Sequence, residues 1–181
     1  MITLIIGTPD SGKSLLAENL CNEQAFYTQK YYIATMSPFG DEGLKRVKKH
    51  RTMREGKDFI TLEWPDNIEK RLADNADLAG NTILLECMSN LVGNELYSEE
   101  NAGADDEALV KKVICAVFAL GKVASNLIIV SNDFLADDAQ YDDEDTKRYI
   151  RLTAKVNEEL IALADLYYLH ENGEWKRYEA D

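Results

Sequence analysis

The chain has few cysteines and fewer basic than acidic residues. The first shortage argues against a zinc or disulfide site, and the second argues against an anionic macromolecular partner. Three cysteines occur among 181 residues, Cys21, Cys87 and Cys115. They are scattered, odd in number and without paired metal-ligand spacing, so neither a zinc site nor a disulfide framework is expected. Lysine and arginine number 20 against 33 acidic residues, a formal net charge of −13. This balance argues against a nucleic acid or an anionic membrane as the main partner.

Long hydrophobic runs are also missing. No apolar segment reaches membrane-spanning length, and the apolar run of residues 1–6 ends at Gly7, too early for a signal peptide. We therefore expect a soluble, cytoplasmic protein with buried, reduced thiols. Hydrophobic residues make up 45% of the chain, which suits one domain over residues 1–181 with a full core.

Strand and helix patterns alternate along the chain. Apolar runs predict strands at residues 1–6, 31–35, 59–63, 82–87 and 127–132. Helices are expected at about residues 14–20, 42–54, 68–76, 107–124 and 146–164, with Asp66 placed to cap the third. Asn172-Gly173 indicates a C-terminal β-hairpin. These patterns predict an α/β fold with a mainly parallel central sheet and helices on both faces.

A phosphate-binding pattern, G-x-x-x-x-G-K-S, follows the first strand at residues 7–14. The glycines let the backbone wrap around phosphates, Lys13 can reach the β- and γ-phosphates, and the Ser14 hydroxyl can ligate Mg²⁺. The helix that follows adds its positive end. The sequence thus predicts a P-loop NTPase-like domain that binds GTP or ATP, with Lys13 also catalytic. The predicted binding residues are Gly7, Thr8, Pro9, Asp10, Ser11, Gly12, Lys13 and Ser14.

Glu86 is the predicted second magnesium ligand, beside Ser14. It ends the apolar run of residues 83–85, and a P-loop protein usually places an acid at the end of a neighbouring strand to hold Mg²⁺. The alternative is a strand-end carboxylate in solvent.

A charged helix carries the candidate nucleophile. Glu42, Arg46, His50 and Arg54 recur every four residues, so they share one helical face. A histidine there can attack phosphorus while the arginines offset developing charge. The same spacing also fits a solvated, salt-bridged helix. His170 is expected to be a surface or packing residue.

These blocks, in this order, resemble one known family, adenosylcobinamide kinase/adenosylcobinamide-phosphate guanylyltransferase. The resemblance covers nearly the whole chain, and the His50 helix between the other blocks is its most specific part. The matching blocks are the P-loop, Tyr32-Ile33-Ala34-Thr35, residues 41–54, Leu84-Leu85-Glu86-Cys87, Val130-Ser131-Asn132-Asp133 and Val156-Asn157.

The resemblance implies a bifunctional enzyme of cobalamin assembly. One activity phosphorylates the aminopropanol hydroxyl of a corrinoid, adenosylcobinamide. In the other, a histidine attacks the α-phosphate of GTP, releases pyrophosphate and passes GMP to adenosylcobinamide phosphate. By motif, His50 is the catalytic GMP acceptor. A homo-oligomer, with the trimer as the family's form, is also implied. The nucleotide-contacting positions that it implies are Thr35, Arg46, Arg51, Thr52, Met53, Arg54, Glu63 and Glu86.

The chain is a divergent relative of that family, mostly outside the nucleotide blocks. Glu86 stands where Asp is usual, and residues 133–138 replace a glycine-containing segment. Glu174-Trp175-Lys176 replaces a small, proline-containing turn. The region expected to meet the corrinoid is therefore the most altered. Two alternatives stay open: a P-loop kinase or nucleotidyltransferase of a different small molecule, and a non-catalytic nucleotide-binding regulatory protein.

Overall fold

A sheet of seven strands lies at the centre of the described chain. The computed structural model describes residues 1–25, 28–37, 43–45, 47–48, 51–52, 56–134 and 141–179. The strand order is β3-β2-β4-β5-β1-β6-β7, and every neighbouring pair is parallel except the C-terminal hairpin β6–β7. The strands are β1 (Ile2–Gly7), β2 (Lys30–Ala34), β3 (Phe59–Glu63), β4 (Thr82–Glu86), β5 (Asn126–Asn132), β6 (Leu166–Glu171) and β7 (Glu174–Glu179).

Helices connect the parallel strands. Within the described residues they are α1 (Lys13–Gln24), α2 (Ile68–Ala73), α3 (Met88–Leu96), α4 (Asp106–Val123) and α5 (Glu144–Leu163). Residues 43–45, 47–48 and 51–52 are also helical, as predicted for that segment. Of the predicted site residues, Arg46, His50, Met53 and Arg54 lie outside the described residues, as does Glu42. Searched over the described residues, no helix has the length and apolarity needed to cross a membrane.

The core lies on both faces of the sheet. Helices α3, α4 and α5 pack on one face, where Leu4, Ile33 and Leu85 are fully buried. Helix α1 packs on the other face, with Cys21 and Leu84 in its cluster. Successive side chains of a strand point to opposite faces, so strands covered on both sides need continuous apolar runs. The predicted fold, a mainly parallel sheet with helices on both faces and a C-terminal hairpin, is confirmed.

Helix α3 has no clear signal in the sequence. Its nine residues include Gly93 and two asparagines, which are weak helix formers. Met88, Leu91 and Val92 nevertheless lie on one buried face, so tertiary packing supplies what local propensity does not.

The start and end of α2 differ from expectation. Asp66 does not cap the helix, because its carboxylate accepts a hydrogen bond from Arg71 Nη2 at 3.0 Å. Asn67 occupies the cap position with φ of 50° and makes no side-chain cap bond. The helix ends at Ala73 rather than residue 76, and the side-chain amide of Asn75 donates to the Arg71 carbonyl at 2.7 Å.

Candidate active site

The carboxyl ends of the central strands bring the predicted P-loop and Glu86 to one edge of the sheet. Gly7 pairs with Asn132 across β1 and β5, and Glu86 pairs with Val130 across β4 and β5. The Asp133 amide donates to the Gly7 carbonyl at 3.0 Å, which fixes the end of β5 beside the loop. This edge is where open parallel α/β sheets bind ligands.

The loop after β1 has the backbone of a phosphate cradle. Gly12 has φ of 83° and Asp10 has φ of 61°, so the chain turns sharply before α1 begins at Lys13. Helix α1 has no side-chain cap, which leaves its first amides available to a bound anion. Ser11 Oγ is buried and lacks a hydrogen-bond partner within the described chain. An orphaned donor here fits a site that a phosphate completes.

Gly7 is required by close packing. A Cβ atom at this position would lie 2.5 Å from Ser11 Oγ and 2.8 Å from Trp175 Cη2. The same atom would lie 3.3 Å from the Cβ of His170. The first residue of the loop is thus enclosed by its own turn and by the C-terminal hairpin.

Lys13 bends back over the loop. Its Nζ donates to the Thr8 carbonyl at 3.0 Å. Burial lowers the pKa of Lys13 below its ordinary value, while the negative charges of Glu86 and Asp10 oppose that shift. The Lys13 amine therefore lies against the P-loop backbone, and the carboxylates of Glu86 and Asp10 favour its charged form.

Glu86 joins the loop to the neighbouring strand. Ser14 Oγ donates to Glu86 Oε1 at 2.5 Å, and the Tyr32 hydroxyl donates to Oε2 at 2.7 Å. Tyr32 was not among the predicted site residues. Its side chain reaches Glu86 because β2 pairs with β4, a neighbour relation that the order of residues in the chain does not reveal.

The Ser14–Glu86 pair fits Mg²⁺ in its donor chemistry. Both donor atoms are hard oxygens, the ligand type that Mg²⁺ takes. Among the described residues, no cluster of three His, Cys, Asp or Glu side chains occurs. Mg²⁺ in nucleotide enzymes is held by one or two protein oxygens together with substrate phosphates, rather than by an all-protein cage.

Three other predicted nucleotide contacts, Thr35, Arg51 and Glu63, lie at or beside the ends of β2 and β3. Arg51 Nε and Nη2 each donate at 2.7 Å to Glu63, and both side chains are about half exposed. Thr52 is exposed. Thr35 is fully buried, and its hydroxyl donates to the Cys87 carbonyl at 2.7 Å. Arg51 and Glu63 thus form a pair with each other, separately from the group of Lys13, Ser14 and Glu86.

A partly buried polar cluster supports the ends of β4 and β5. Asn132 Nδ2 donates to Ser89 Oγ at 2.5 Å, and the Asn157 side chain donates to the Asn132 carbonyl at 3.0 Å. The Tyr149 hydroxyl donates to the Ser89 carbonyl at 3.1 Å. Burial raises the pKa of the nearby Cys87 thiol, which keeps it protonated. Asn132 and Asn157 lie in blocks that carry the family resemblance. Nothing else in the sequence indicated a role for either residue.

A cavity of about 220 Å³ lies beside this cluster. Asn132, Asp133 and Asn157 give it a polar end, and Ile6 and Phe134 are among its apolar walls. Because Asp133 is hydrogen-bonded to Gly7, the polar end of the cavity adjoins the start of the P-loop.

Comparison with protein families matches residues 3–176 to the family described as cobinamide kinase / cobinamide phosphate guanyltransferase. The chain belongs to this family. It is a family of phosphorus-group transferases in cobalamin biosynthesis, whose substrates are nucleotides and cobinamide. The family resemblance read from the sequence is confirmed.

Comparison with curated proteins gives no significant match. Among solved structures, the ATPase domain of G40P aligns with a TM-score of 0.51 and 11% identity, over 93% of this chain and 68% of that one. The flagellar accessory protein FlaH from Methanocaldococcus jannaschii aligns with a TM-score of 0.47 and 16% identity, over 97% and 75%. The first likeness shows the fold alone, that of a P-loop NTPase-like domain.

Proposed function

We propose that this chain phosphorylates adenosylcobinamide and then transfers GMP from GTP to adenosylcobinamide phosphate through a GMP-histidine at His50. One observation carries the proposal: Lys13, Ser14 and Glu86 meet at the carboxyl edge of a chain that matches the family over residues 3–176. The proposal includes one domain over residues 1–181, a cytoplasmic location, and a homo-oligomer with the trimer as the expected form.

The P-loop holds the triphosphate in both reactions. The amides of residues 7–14 and the Lys13 amine bind the β- and γ-phosphates. Ser14 and Glu86 would hold Mg²⁺, which when bound would offset charge on the phosphate oxygens. Tyr32 keeps the Glu86 carboxylate turned toward Ser14 through its 2.7 Å hydrogen bond.

In the kinase step the acceptor hydroxyl oxygen forms a bond to the γ-phosphorus. The bond from that phosphorus to the bridging oxygen breaks, the nucleoside diphosphate leaves, and the hydroxyl proton passes to solvent. Lys13 offsets the charge that develops on the phosphoryl oxygens. The cavity beside Asp133 is about 220 Å³, larger than the ~150 Å³ cavity that accommodates benzene. Its volume is therefore sufficient for the aminopropanol arm.

In the guanylyl step a nitrogen of His50 bonds to the α-phosphorus of GTP, and pyrophosphate leaves. A phosphate oxygen of adenosylcobinamide phosphate then attacks the same phosphorus and displaces the histidine nitrogen. Because the P-loop grips the β- and γ-phosphates, the leaving group is the part of GTP that it holds. The proposal includes two nucleotide orientations, one for each step. The nucleotide contacts that the family resemblance implies for this step are Thr35, Arg46, Arg51, Thr52, Met53, Arg54 and Glu63.

Labelled GTP tests the central claim. We expect protein incubated with α-labelled GTP and Mg²⁺ to acquire label that survives base and is lost in acid, as a phosphoramidate does. His50→Ala should abolish the label, and γ-labelled GTP should give none. Lys48→Ala, an exposed change in the same segment, is the matched control and should keep the label. Equal labelling of His50→Ala would exclude this histidine as the acceptor.

The acceptor is tested separately, because residues 133–138 differ from the family pattern. Adenosylcobinamide should be phosphorylated, and its phosphate should discharge the labelled protein to give a labelled corrinoid. Label that forms on His50 but transfers to neither corrinoid would favour a different small-molecule acceptor. Protein that binds nucleotide but neither labels nor phosphorylates would favour the regulatory alternative.

A further inference from the structure

An aromatic pair on the C-terminal hairpin lies against the P-loop and has no part in the proposed chemistry. His170 on β6 is directly opposite Trp175 on β7, and their ring centroids are 5.0 Å apart. Both side chains are half-buried, and Trp175 packs against the cluster on the α1 face of the sheet.

The contact with the loop is direct. The position that a Gly7 Cβ would take is 2.8 Å from Trp175 Cη2. The indole edge therefore lies against the first residue of the loop, with no side chain between them. Trp175 is half-buried, so part of its ring system remains exposed next to the loop.

Sheet order decides which side of the loop a nucleoside occupies in the kinase reaction. Strand β1 has β5 and β4 on one side and β6 and β7 on the other. The Ser14–Glu86 pair marks the β4 side, where Mg²⁺ would be held and would offset charge on the terminal phosphates. A nucleoside that extends from the loop away from Glu86 would lie over β6 and β7. The Trp175–His170 pair adjoins the loop on that side.

This surface has the chemistry that binds a base. A purine stacks on an indole face, and such stacking tolerates different bases because every base has a π-face. The β4 side presents the Glu86 carboxylate instead, whose oxygens accept hydrogen bonds from Ser14 and Tyr32.

We propose that Trp175, supported by His170, forms the stacking surface for the purine base of the phosphate-donor nucleotide on the P-loop. This inference rests on the proposed function and names a residue pair that serves the kinase orientation. The surface discriminates weakly between adenine and guanine, because stacking supplies most of its contact.

The experiment compares a nucleotide with its phosphate chain alone. Affinities for ATP and for inorganic tripolyphosphate, each with Mg²⁺, are measured by calorimetry on wild type and Trp175→Ala. We expect the variant to lose about tenfold or more in ATP affinity, while tripolyphosphate affinity changes less than about twofold. Trp175→Phe, which keeps a smaller ring in the packing, should fall between the two.

The control is Tyr178→Ala on the opposite face of the same hairpin, which removes a ring stacked on Tyr167 at 5.1 Å. It should leave both affinities unchanged. The chain has two tryptophans, so Trp64→Phe leaves Trp175 as the only indole fluorophore. ATP should quench its emission, and tripolyphosphate should not.

Equal losses for ATP and tripolyphosphate, or ATP binding with no change in Trp175 emission, would overturn the inference and leave the proposed function intact. Wild-type protein that binds GTP but not ATP would also overturn it. Wild-type protein that binds neither nucleotide would overturn the proposed function as well.

Discussion

At the scale of single residues, the site depends on side chains and backbone that hold one another in place. The P-loop residues and Glu86 are readable from the sequence, because the pattern fixes residue type and spacing together. Tyr32 is not readable, since its hydrogen bond to Glu86 requires that β2 lie next to β4. The close contact of Trp175 with Gly7 joins residues from the two ends of the chain.

Gly7→Ala tests this close packing. The new Cβ would meet Ser11 Oγ at 2.5 Å and the Trp175 ring at 2.8 Å, so the loop or the hairpin must shift. We expect a loss of about 1–3 kcal/mol in the free energy of unfolding, together with weaker triphosphate binding. Urea unfolding and calorimetry measure the two effects.

Gly93→Ala in α3 is the matched control. Its Cβ would lie 3.4 Å from the Tyr149 ring, an ordinary contact. Alanine in a helix interior is favoured over glycine by about 0.5–1 kcal/mol, so this variant should be as stable as wild type or slightly more so. Similar destabilisation of the two variants would show that Gly7 is not specially enclosed.

At the scale of elements, Glu95 organises the helices behind the site. It lies on α3 and is almost fully buried. Its carboxylate accepts from the Asn67 amide at the start of α2 at 2.9 Å, and from the Asn101 side chain at 2.8 Å. Lys112 of α4 completes the group with a 2.7 Å ion pair. One buried acid therefore holds α2, α3 and α4 in place relative to one another. Of these, helix α3 has little intrinsic helix propensity.

Lys112→Met should destabilise the protein, because it leaves the Glu95 charge buried with two hydrogen bonds and no counter-charge. The expected loss is about 2–4 kcal/mol in the free energy of unfolding, measured in urea at neutral pH. Methionine keeps the apolar stem, so lost charge rather than lost packing accounts for the change. Lys70→Met removes the exposed Lys70–Glu100 pair and should have no measurable effect. Equal effects from these two variants would contradict the role given to burial.

At the scale of the whole molecule, buried ionisable groups couple the fold to pH. Cys21 is fully buried on α1, and burial raises the pKa of its thiol from 9.0 to about 12. Above pH 9 the unfolded chain loses this proton while the folded chain keeps it. The unfolded state is then favoured as pH rises, until the folded pKa is reached.

We expect the free energy of unfolding to fall between pH 9 and 11, with this thiol contributing about 1.4 kcal/mol per pH unit. Cys21→Ala lacks the proton and should give a shallower pH dependence, even if its absolute stability is lower because a small cavity remains. Urea unfolding of both proteins across this range supplies the comparison. Parallel curves would show that Cys21 does not titrate in this way.

Local sequence patterns were sufficient to predict the fold class and the P-loop. Continuous apolar runs separated by helical patterns are sufficient for a parallel sheet covered on both faces, because each strand must bury both its sides. The order of the matching sequence blocks along the chain was sufficient to identify the family. These properties depend on residues close together in the chain, or on their order along it.

Which residues meet depends on the arrangement of the strands in the folded chain. Strand order brought Tyr32 to Glu86, Asp133 to Gly7 and Trp175 to the P-loop. It also made a helix of residues 88–96 by giving their apolar face a core to pack against. Sequence periodicity reports which face of an element is apolar and carries no information about which neighbour covers that face. The partners of a side chain are therefore set by topology, and topology is a property of the folded molecule.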